Sequence, residues 1–197
     1  MISNPKGLTR ARPAALNKRL LPNLLIFWAP WGASTGGKKK YPASIKFYDD
    51  GYNFEDPKAP YGIVNSYNLT QRLVSRVFLN PRAVDEPGSI VEGLPLKDAL
   101  ESARREIERQ RAGSRREDEY AAADLAIVAL LRGDVDWRDK LDDFLYSEPE
   151  PQPYAVQVTL DVLVELQGRL AETREGSPEF RNRVAKACDE IRRKIGA

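Results

Sequence analysis

Apolar residues recur every three or four positions in much of the second half of the chain, which is the spacing of one helix face. The first such stripe consists of Leu96, Leu100, Ala103 and Ile107. A second helix is predicted from about Arg116 to Arg132, where Gly133 supplies a C-terminal stop and Asp134 can cap a third helix. Ser177-Pro178-Glu179 is a typical start for a last helix. The sequence therefore predicts a helical region over residues 95–197.

One segment of this region fits two structures. From Tyr154 to Leu166 almost every even position is apolar, and many of these residues are β-branched, which is typical of a strand. In a helix the same residues would point in all directions and would require burial on several sides. The stretch that follows, as far as Glu175, is rich in helix formers. We therefore favour a helix for 154–166, with a strand as the alternative.

The first half of the chain has a different pattern. Ten of the 14 prolines and eight of the 13 glycines lie in residues 1–95, which favours strands, turns and extended connections. Asp50-Gly51 is a strong signal for a two-residue hairpin turn. The predicted strands are Leu24–Trp28, Ala43–Asp49, Tyr52–Phe54 and Tyr61–Tyr67. From Asn68 the spacing becomes helical until Asn80-Pro81.

These patterns together predict an α+β fold, with a small antiparallel sheet and an extended basic arm in the N-terminal half and a helical C-terminal half. Residues 1–12 are predicted to be a flexible basic arm because they have no apolar periodicity. Residues 13–94 form the strand- and turn-rich part. Residues 95–197 form the helical part, which we expect to pack with the preceding region as one domain.

Charge is divided unevenly along the chain. The first 46 residues hold nine basic side chains and no acidic one, whereas the rest hold 22 basic and 29 acidic side chains. Such asymmetry is typical of a segment that meets a polyanion or an acidic protein surface. The residues predicted to bind nucleic acid or another anion are Arg10, Arg12, Lys38, Lys39, Lys40 and Lys46.

Composition argues against several classes of protein. The chain has no histidine, which removes the usual general base, the Ser-His-Asp and Cys-His arrangements and most zinc sites. Its single cysteine, Cys188, allows no internal disulfide. No apolar stretch reaches the roughly 18–20 residues of a membrane span, so no membrane partner is predicted. The predicted location is a virion or the cytoplasm.

A glycine-rich loop offers the one enzymatic alternative. Gly32 to Lys38 fits the phosphate-binding pattern G-x-x-x-x-G-K, in which backbone N–H groups and a lysine surround phosphate oxygens. Lys39 stands where the magnesium-binding hydroxyl is expected, and Pro42 with a strand-like continuation argues against the helix that should follow. We therefore predict no nucleotide cofactor, although such a loop could bind an anion without catalysis.

Two further clusters have a simple structural explanation beside a functional one. Four carboxylates and one amide between Asp49 and Asp56 could bind a hard cation, but their spacing matches no known loop and no metal is predicted. Trp28 and Trp31 adjoin the basic loop and could stack on single-stranded bases. We favour the alternative that both tryptophans are anchors of the core or of a subunit interface.

No motif specifies a reaction, so the sequence favours a non-enzymatic structural or assembly subunit of a large complex. A bacteriophage particle, at its neck, connector or tail, is the expected setting. The predicted partners are other copies of the chain and neighbouring subunits, with DNA or RNA as a further partner. The alternative function is a nucleic-acid-binding subunit of a ribonucleoprotein or defence complex, whose affinity would fall steeply with salt.

The arm generates a first testable prediction. Deleting residues 2–12 should leave the melting temperature of the isolated protein nearly unchanged but should weaken assembly with its partners. The reason is that Ile2 and Leu8 are the only large aliphatic side chains there, while ordering each backbone residue costs about 1–2 kcal/mol. Calorimetry of the full and truncated chains measures the first effect, and a large loss of thermal stability would show that the arm belongs to the core.

Overall fold

The computed structural model describes residues 41–54 and 66–196, and nearly all of the regular structure in these ranges is helical. A single 3-10 turn, Pro81–Val84, and one two-stranded hairpin interrupt the helices. The helices are α1 Tyr41–Phe54, α2 Ser66–Leu79, α3 Leu96–Arg111, α4 Glu119–Arg132, α5 Trp137–Leu145, α6 Pro153–Thr173 and α7 Pro178–Gly196.

Helix α4 is the centre of the fold. Every residue from Ala121 to Leu131 is buried, and the helix contacts α2, α3, α5, α6 and α7. A helix that is apolar on all sides has to be buried on all sides. Four alanines among the first eight of these residues keep its surface small, so that the surrounding helices can approach closely. The other helices then present one apolar stripe each to α4 or to one another.

The predicted α+β fold is wrong in its N-terminal half. Residues 41–54 form helix α1, where a hairpin around Asp50-Gly51 was predicted. The reason lies in Tyr41, Ile45 and Tyr48, which are spaced at helical intervals and are all buried. Because burial of this stripe outweighs the local turn preference of Asp50-Gly51, the segment is a helix. Most of the predicted strand Tyr61–Tyr67, and all of Leu24–Trp28, lie outside the described residues.

The small sheet of the described residues lies elsewhere. Strand β1, Ile90–Val91, pairs antiparallel with β2, Leu94–Pro95. The two connecting residues, Glu92 and Gly93, have φ of 48° and 74°, as the tight turn of a two-residue hairpin requires. Two residues per strand do not form a structural layer. The hairpin acts instead as a connection that leads directly into α3.

The ambiguous segment 154–166 is helical, as favoured from the sequence. Helix α6 buries Val156, Leu160 and Val162 but leaves Tyr154 and Val164 exposed. The alternating apolar residues therefore point around the helix, and the packing of α4 and α7 covers only part of its surface. The pattern was ambiguous because alternation of apolar residues also arises when two neighbouring faces of one helix are buried.

Most of the predicted helix ends are confirmed, with one exception. Ser177 caps α7, since its hydroxyl oxygen accepts a hydrogen bond from the Phe180 N–H at 3.1 Å. Gly133 ends α4 in the left-handed conformation. The predicted cap Asp134 does not begin α5; its carboxylate instead pairs with Arg104 and Arg132. A partly buried ion-pair network thus uses a side chain that local rules assign to a helix cap.

Within the part of the chain that the structure describes, no helix is both long enough and apolar enough to cross a membrane.

Two glycines give a matched test of backbone conformation. Gly133 has φ +74°, and a Cβ there would lie 2.9 Å from the Arg183 guanidinium, whereas a Cβ on the helical Gly168 would meet nothing within 4 Å. Gly133→Ala should therefore destabilise the protein by about 1 kcal/mol or more. Gly168→Ala should stabilise it by about 0.5–1 kcal/mol, because alanine is the better helix former. Urea denaturation of both variants measures the difference, and equal effects would contradict the assignment of strain to Gly133.

Candidate functional site

The predicted binding residues fall mostly outside the described part of the chain. This applies to the tryptophans, Trp28 and Trp31, and to the basic residues Arg10, Arg12, Lys38, Lys39 and Lys40. Lys46 is described and lies exposed on α1. The structure therefore places one basic residue of this set at the surface and does not test whether the set acts together.

The glycine-rich loop Gly32 to Lys38 also lies outside the described residues, but the segment after it is described. The predicted interruption of the following helix is wrong, because α1 begins at Tyr41 and holds Pro42 in its first turn. Proline is tolerated there since the first N–H groups of a helix have no intrahelical acceptor. Lys39 still stands where a nucleotide-binding loop has its magnesium-binding hydroxyl, so the chain departs from the pattern of such a loop at this position.

A buried arginine fastens α1 to the rest of the molecule. The Arg76 side chain, on α2, is only 2% exposed and pairs with both carboxylate oxygens of Asp49, on α1, at 3.0 and 2.8 Å. Its remaining N–H groups donate to the backbone oxygens of Arg72, Val91 and Glu92. One guanidinium therefore joins α1, α2 and the β-hairpin, and each of its donors has an acceptor.

Asp49 is thus an ion-pair partner within the fold. Burial alone would raise the pKa of its carboxyl, but hydrogen bonds from Arg76 and from Arg72, at 2.8 Å, outweigh burial and lower the pKa. A carboxylate that two guanidinium groups already hold is a poor ligand for a cation. Among the residues that the structure describes, no group of three or more acidic or cysteine side chains could hold a metal ion.

A second contact fixes the start of α1. The Tyr41 ring stacks on Phe78 with 5.5 Å between ring centres, and Arg169 of α6 lies 5.8 Å from the Tyr41 ring centre. The Arg169 Nε also donates to the Phe78 backbone oxygen at 3.0 Å. Residues 1–40 therefore enter the described structure at a point that aromatic packing and a buried arginine hold in place.

A surface cavity of about 480 Å³ lies at the opposite end of α6. Its walls come from the end of α3, the start of α4 and the connector between α5 and α6. The lining includes two basic and five acidic residues: Arg111, Arg116, Glu117, Asp118, Glu119, Glu148 and Glu150. The cavity lining therefore carries an excess of negative formal charge.

Two of these carboxylates have structural duties. Asp118 caps α4 by accepting hydrogen bonds from the N–H groups of Tyr120 and Ala121, and it also pairs with the buried Arg115. Glu119 accepts a hydrogen bond from the Gln152 N–H at 2.7 Å, which ties the connector to the start of α4. Asp118 and Glu119 therefore stabilise the start of α4 and the connector, which are two of the elements that form the cavity wall.

Three exposed tyrosines lie near the acidic wall, although none of them lines the cavity. Tyr120 is 37% exposed, while Tyr146 and Tyr154 are 63% and 54% exposed. Partial burial raises the pKa of Tyr120, and the nearby Glu119, Tyr154 and Asp118 raise it further. We call this region the acid–tyrosine surface; it consists of Glu117, Asp118, Glu119, Tyr120, Tyr146, Glu148, Glu150 and Tyr154.

A cation of the same chain already lies at the edge of this surface. The Lys194 ammonium is 5.0 Å from the centre of the Tyr146 ring and forms an ion pair with Glu150. That ion pair lowers the pKa of Glu150. The arrangement combines a tyrosine face with a carboxylate, which is a favourable environment for a basic side chain.

Several arginines between residues 104 and 116 form ion pairs of two kinds. Arg105 and Arg109 form exposed pairs with Glu101 and Glu106 within α3. Arg104 pairs with Glu108 in the same helix and also with Asp134 and Asp136, in the segment that joins α4 to α5. These three arginines therefore take part in ion pairs within the fold.

Sequence reasoning missed the acid–tyrosine surface because its halves lie 30 residues apart and belong to different elements. A signal does exist in the sequence. Glu148 has no basic residue three or four positions before or after it, where a helical ion-pair partner would stand. Such a carboxylate has no local partner and is available to one from elsewhere.

The Asp49–Arg76 contact predicts a specific pH dependence. Asp49→Asn should lower the free energy of unfolding by about 1–3 kcal/mol at pH 7, because Arg76 keeps its burial and loses its counter-ion. A lowered pKa means that the wild-type advantage is complete above the ordinary carboxyl value of 3.8 and disappears as pH falls through the folded-state pKa. Denaturation curves between pH 3 and pH 7 should thus converge at the acidic end.

The exposed Glu86→Gln is the control for this measurement, with an expected change within about 0.5 kcal/mol. A wild-type advantage over Asp49→Asn that stays constant down to pH 3 would contradict the role assigned to the Asp49 charge.

Comparison with known proteins gives no relative for this arrangement. No protein-family model, no curated protein and no solved structure matches the chain significantly.

Proposed function

We propose that this chain is a non-enzymatic structural subunit of a large assembly and that its basic N-terminal region contacts neighbouring subunits or nucleic acid. One observation carries the proposal: the two parts of the chain have opposite charge. Residues 1–40 contain eight basic and no acidic side chains, whereas the described residues contain 22 basic and 27 acidic ones. Identical subunits of this kind attract one another whenever the basic part of one approaches the body of the next.

The attachment of the basic part supports the same proposal. An arm that transmits force between subunits needs a firm root in its own subunit. Tyr41, the first described residue, is buried against Phe78, and Asp49 is paired with Arg76 less than three turns later. A pull on residues 1–40 would therefore act on the core through α1.

A bacteriophage particle, at its neck, connector or tail, is the proposed setting. Subunits there are repeated around or beside packaged nucleic acid, so one basic segment could meet an acidic neighbour or a phosphate backbone. Both kinds of contact depend on charge and need no catalytic side chain, which suits a chain without histidine.

A second candidate function is a nucleic-acid-binding subunit of a ribonucleoprotein or defence complex. The exposed position of Lys46 on α1 favours it, because the basic stretch of Lys38 to Lys40 then continues onto the surface of the folded body. Each phosphate that these lysines neutralise would release a counter-ion, so binding would weaken steeply with added salt.

Two measurements separate the functions. Native mass spectrometry of the purified chain should show oligomers or incorporation into a larger particle, and a strictly monomeric species that joins no assembly would contradict the structural proposal. Binding of single- and double-stranded oligonucleotides is then compared between the parent and Lys38→Ala/Lys39→Ala/Lys40→Ala over a salt series. The second function requires a weaker, less salt-dependent interaction in the triple variant; equal binding at low salt would contradict it at these residues.

A further inference from the structure

We propose that the acid–tyrosine surface of one subunit binds the basic N-terminal segment, residues 6–19, of a second copy of the chain. The inference rests on the proposed assembly function and specifies the contact by which copies join. Its occupant is identified by charge and by the position at which residues 1–40 enter the described structure.

The carboxylates of the surface differ in how many hydrogen bonds and ion pairs they already form within the fold. Asp118 and Glu119 accept hydrogen bonds from the backbone, and Glu150 pairs with Lys194. Glu117 and Glu148 are exposed members of the cavity wall. The cavity lining holds five carboxylates against two arginines, Arg111 and Arg116, so an excess of negative charge remains for further cations. Glu117 and Glu148 are therefore the members best suited to pair with a basic segment.

The tyrosines provide the second half of the recognition. A guanidinium is planar and weakly hydrated, so it can stack on a tyrosine ring while its edge donates to a carboxylate. Lys194 shows this combination within the chain, since it contacts the Tyr146 ring and pairs with Glu150. Tyr120 and Tyr154 present further ring area beside Glu119. The surface is thus suited to a peptide with several basic side chains, arginine above all.

Residues 6–19 fit this description. The segment carries five basic side chains and no acidic one; these are Lys6, Arg10, Arg12, Lys18 and Arg19. Ordering such a segment costs about 1–2 kcal/mol for each backbone residue, and a neutral surface would return little of that cost. Several charge-assisted hydrogen bonds with ring stacking can offset it for the few residues that enter the cavity.

The positions of root and surface are compatible with a head-to-tail contact between two copies, and the experiment below separates this contact from binding within one subunit. Residues 1–40 enter the described structure at Tyr41, beside Arg169 near the end of α6, whereas the cavity lies before the start of α6. A helix of 21 residues is about 30 Å long, so root and surface lie at opposite ends of the body. A contact from one end of a subunit to the other end of the next is head-to-tail and can repeat into a ring or a filament.

The length of the intervening chain allows this contact. Residues 20–40 connect the basic segment to the root, and 21 residues can extend to about 70 Å. That reach exceeds the length of α6 more than twofold. The linking chain is therefore long enough to cross from the root of one subunit to the acid–tyrosine surface of a neighbour.

Two full-length variants test the contact by complementation. The variant Lys6→Ala/Arg10→Ala/Arg12→Ala has an intact acid–tyrosine surface but a less positively charged segment. The variant Glu117→Lys/Glu148→Lys has an intact segment, and two negative charges of its surface are replaced by positive ones. Analytical ultracentrifugation should show that the wild type associates, that each variant alone is monomeric, and that their equimolar mixture forms heterodimers and nothing larger. Heterodimers are expected because the mixture holds one intact pair of segment and surface. Circular dichroism and melting curves establish that each variant folds.

Matched charge changes complete the experiment. Glu86→Lys/Glu172→Lys changes two exposed carboxylates outside the acid–tyrosine surface by the same amount and should associate as the wild type does. A labelled peptide of residues 1–21 should bind the alanine variant about tenfold or more tightly than it binds the alanine variant combined with Glu117→Lys/Glu148→Lys. Combining Arg10→Glu/Arg12→Glu with Glu117→Lys/Glu148→Lys in one chain should restore association.

The outcomes distinguish this inference from the proposed function. If wild-type association depends on the segment but is unchanged by Glu117→Lys/Glu148→Lys, the assembly function stands and the acid–tyrosine surface is not its acceptor. If the mixture of the two variants stays monomeric, contact between copies through this surface is refuted. Binding of the segment to the surface of its own subunit would give this same result. If the wild type neither self-associates nor joins a larger particle, both proposals fail.

Discussion

A helix that is apolar on every side has to be enclosed on every side, and α4 imposes this requirement on the whole molecule. Its buried run from Ala121 to Leu131 has to be covered by other helices, and five of them contact it. The short side chains of its alanines bring those helices close, so the apolar area removed from water per residue is large. The charged residues of α4, apart from the buried Asp124, are thereby confined to its ends. The order of the other elements follows from the need to surround this one.

The ends of α4 show how that confinement shapes the polar chemistry. At its C-terminal end, Arg132 and Asp134 join a network with Arg104 that locks α3, α4 and α5 together. At its N-terminal end, Asp118 and Glu119 hold the cap and the connector, and their charge is left with fewer basic partners. One end is electrostatically balanced and structural, while the other is acidic and bordered by exposed tyrosines. The proposed interaction surface is therefore a consequence of how the central helix begins.

Helix α1 is joined to this core through α2, by a buried stripe of Tyr41, Ile45 and Tyr48 and by one buried ion pair. The buried guanidinium of Arg76 satisfies all of its donors only if Asp49 and the β-hairpin are both in place. Such a pair adds less net stability than apolar packing would, but it tolerates little displacement because a buried charge without its partner is costly. The stack of Tyr41 on Phe78 adds a second specific contact at the start of α1.

The sequence by itself determined the helices whose periodicity is unambiguous, such as α3 with its stripe from Leu96 to Ile107, because one buried face is enough to specify a helix. It also determined the charge division and the absence of histidine chemistry, which depend on composition alone. The tertiary structure alone decided that residues 41–54 are a helix, since burial of Tyr41, Ile45 and Tyr48 overrides a strong local turn signal. It likewise decided which carboxylates are used within the fold and which remain at the surface. Ion pairs such as Asp49–Arg76 and Arg104–Asp136 join residues about 30 positions apart, and no local rule of spacing can specify such distant partners.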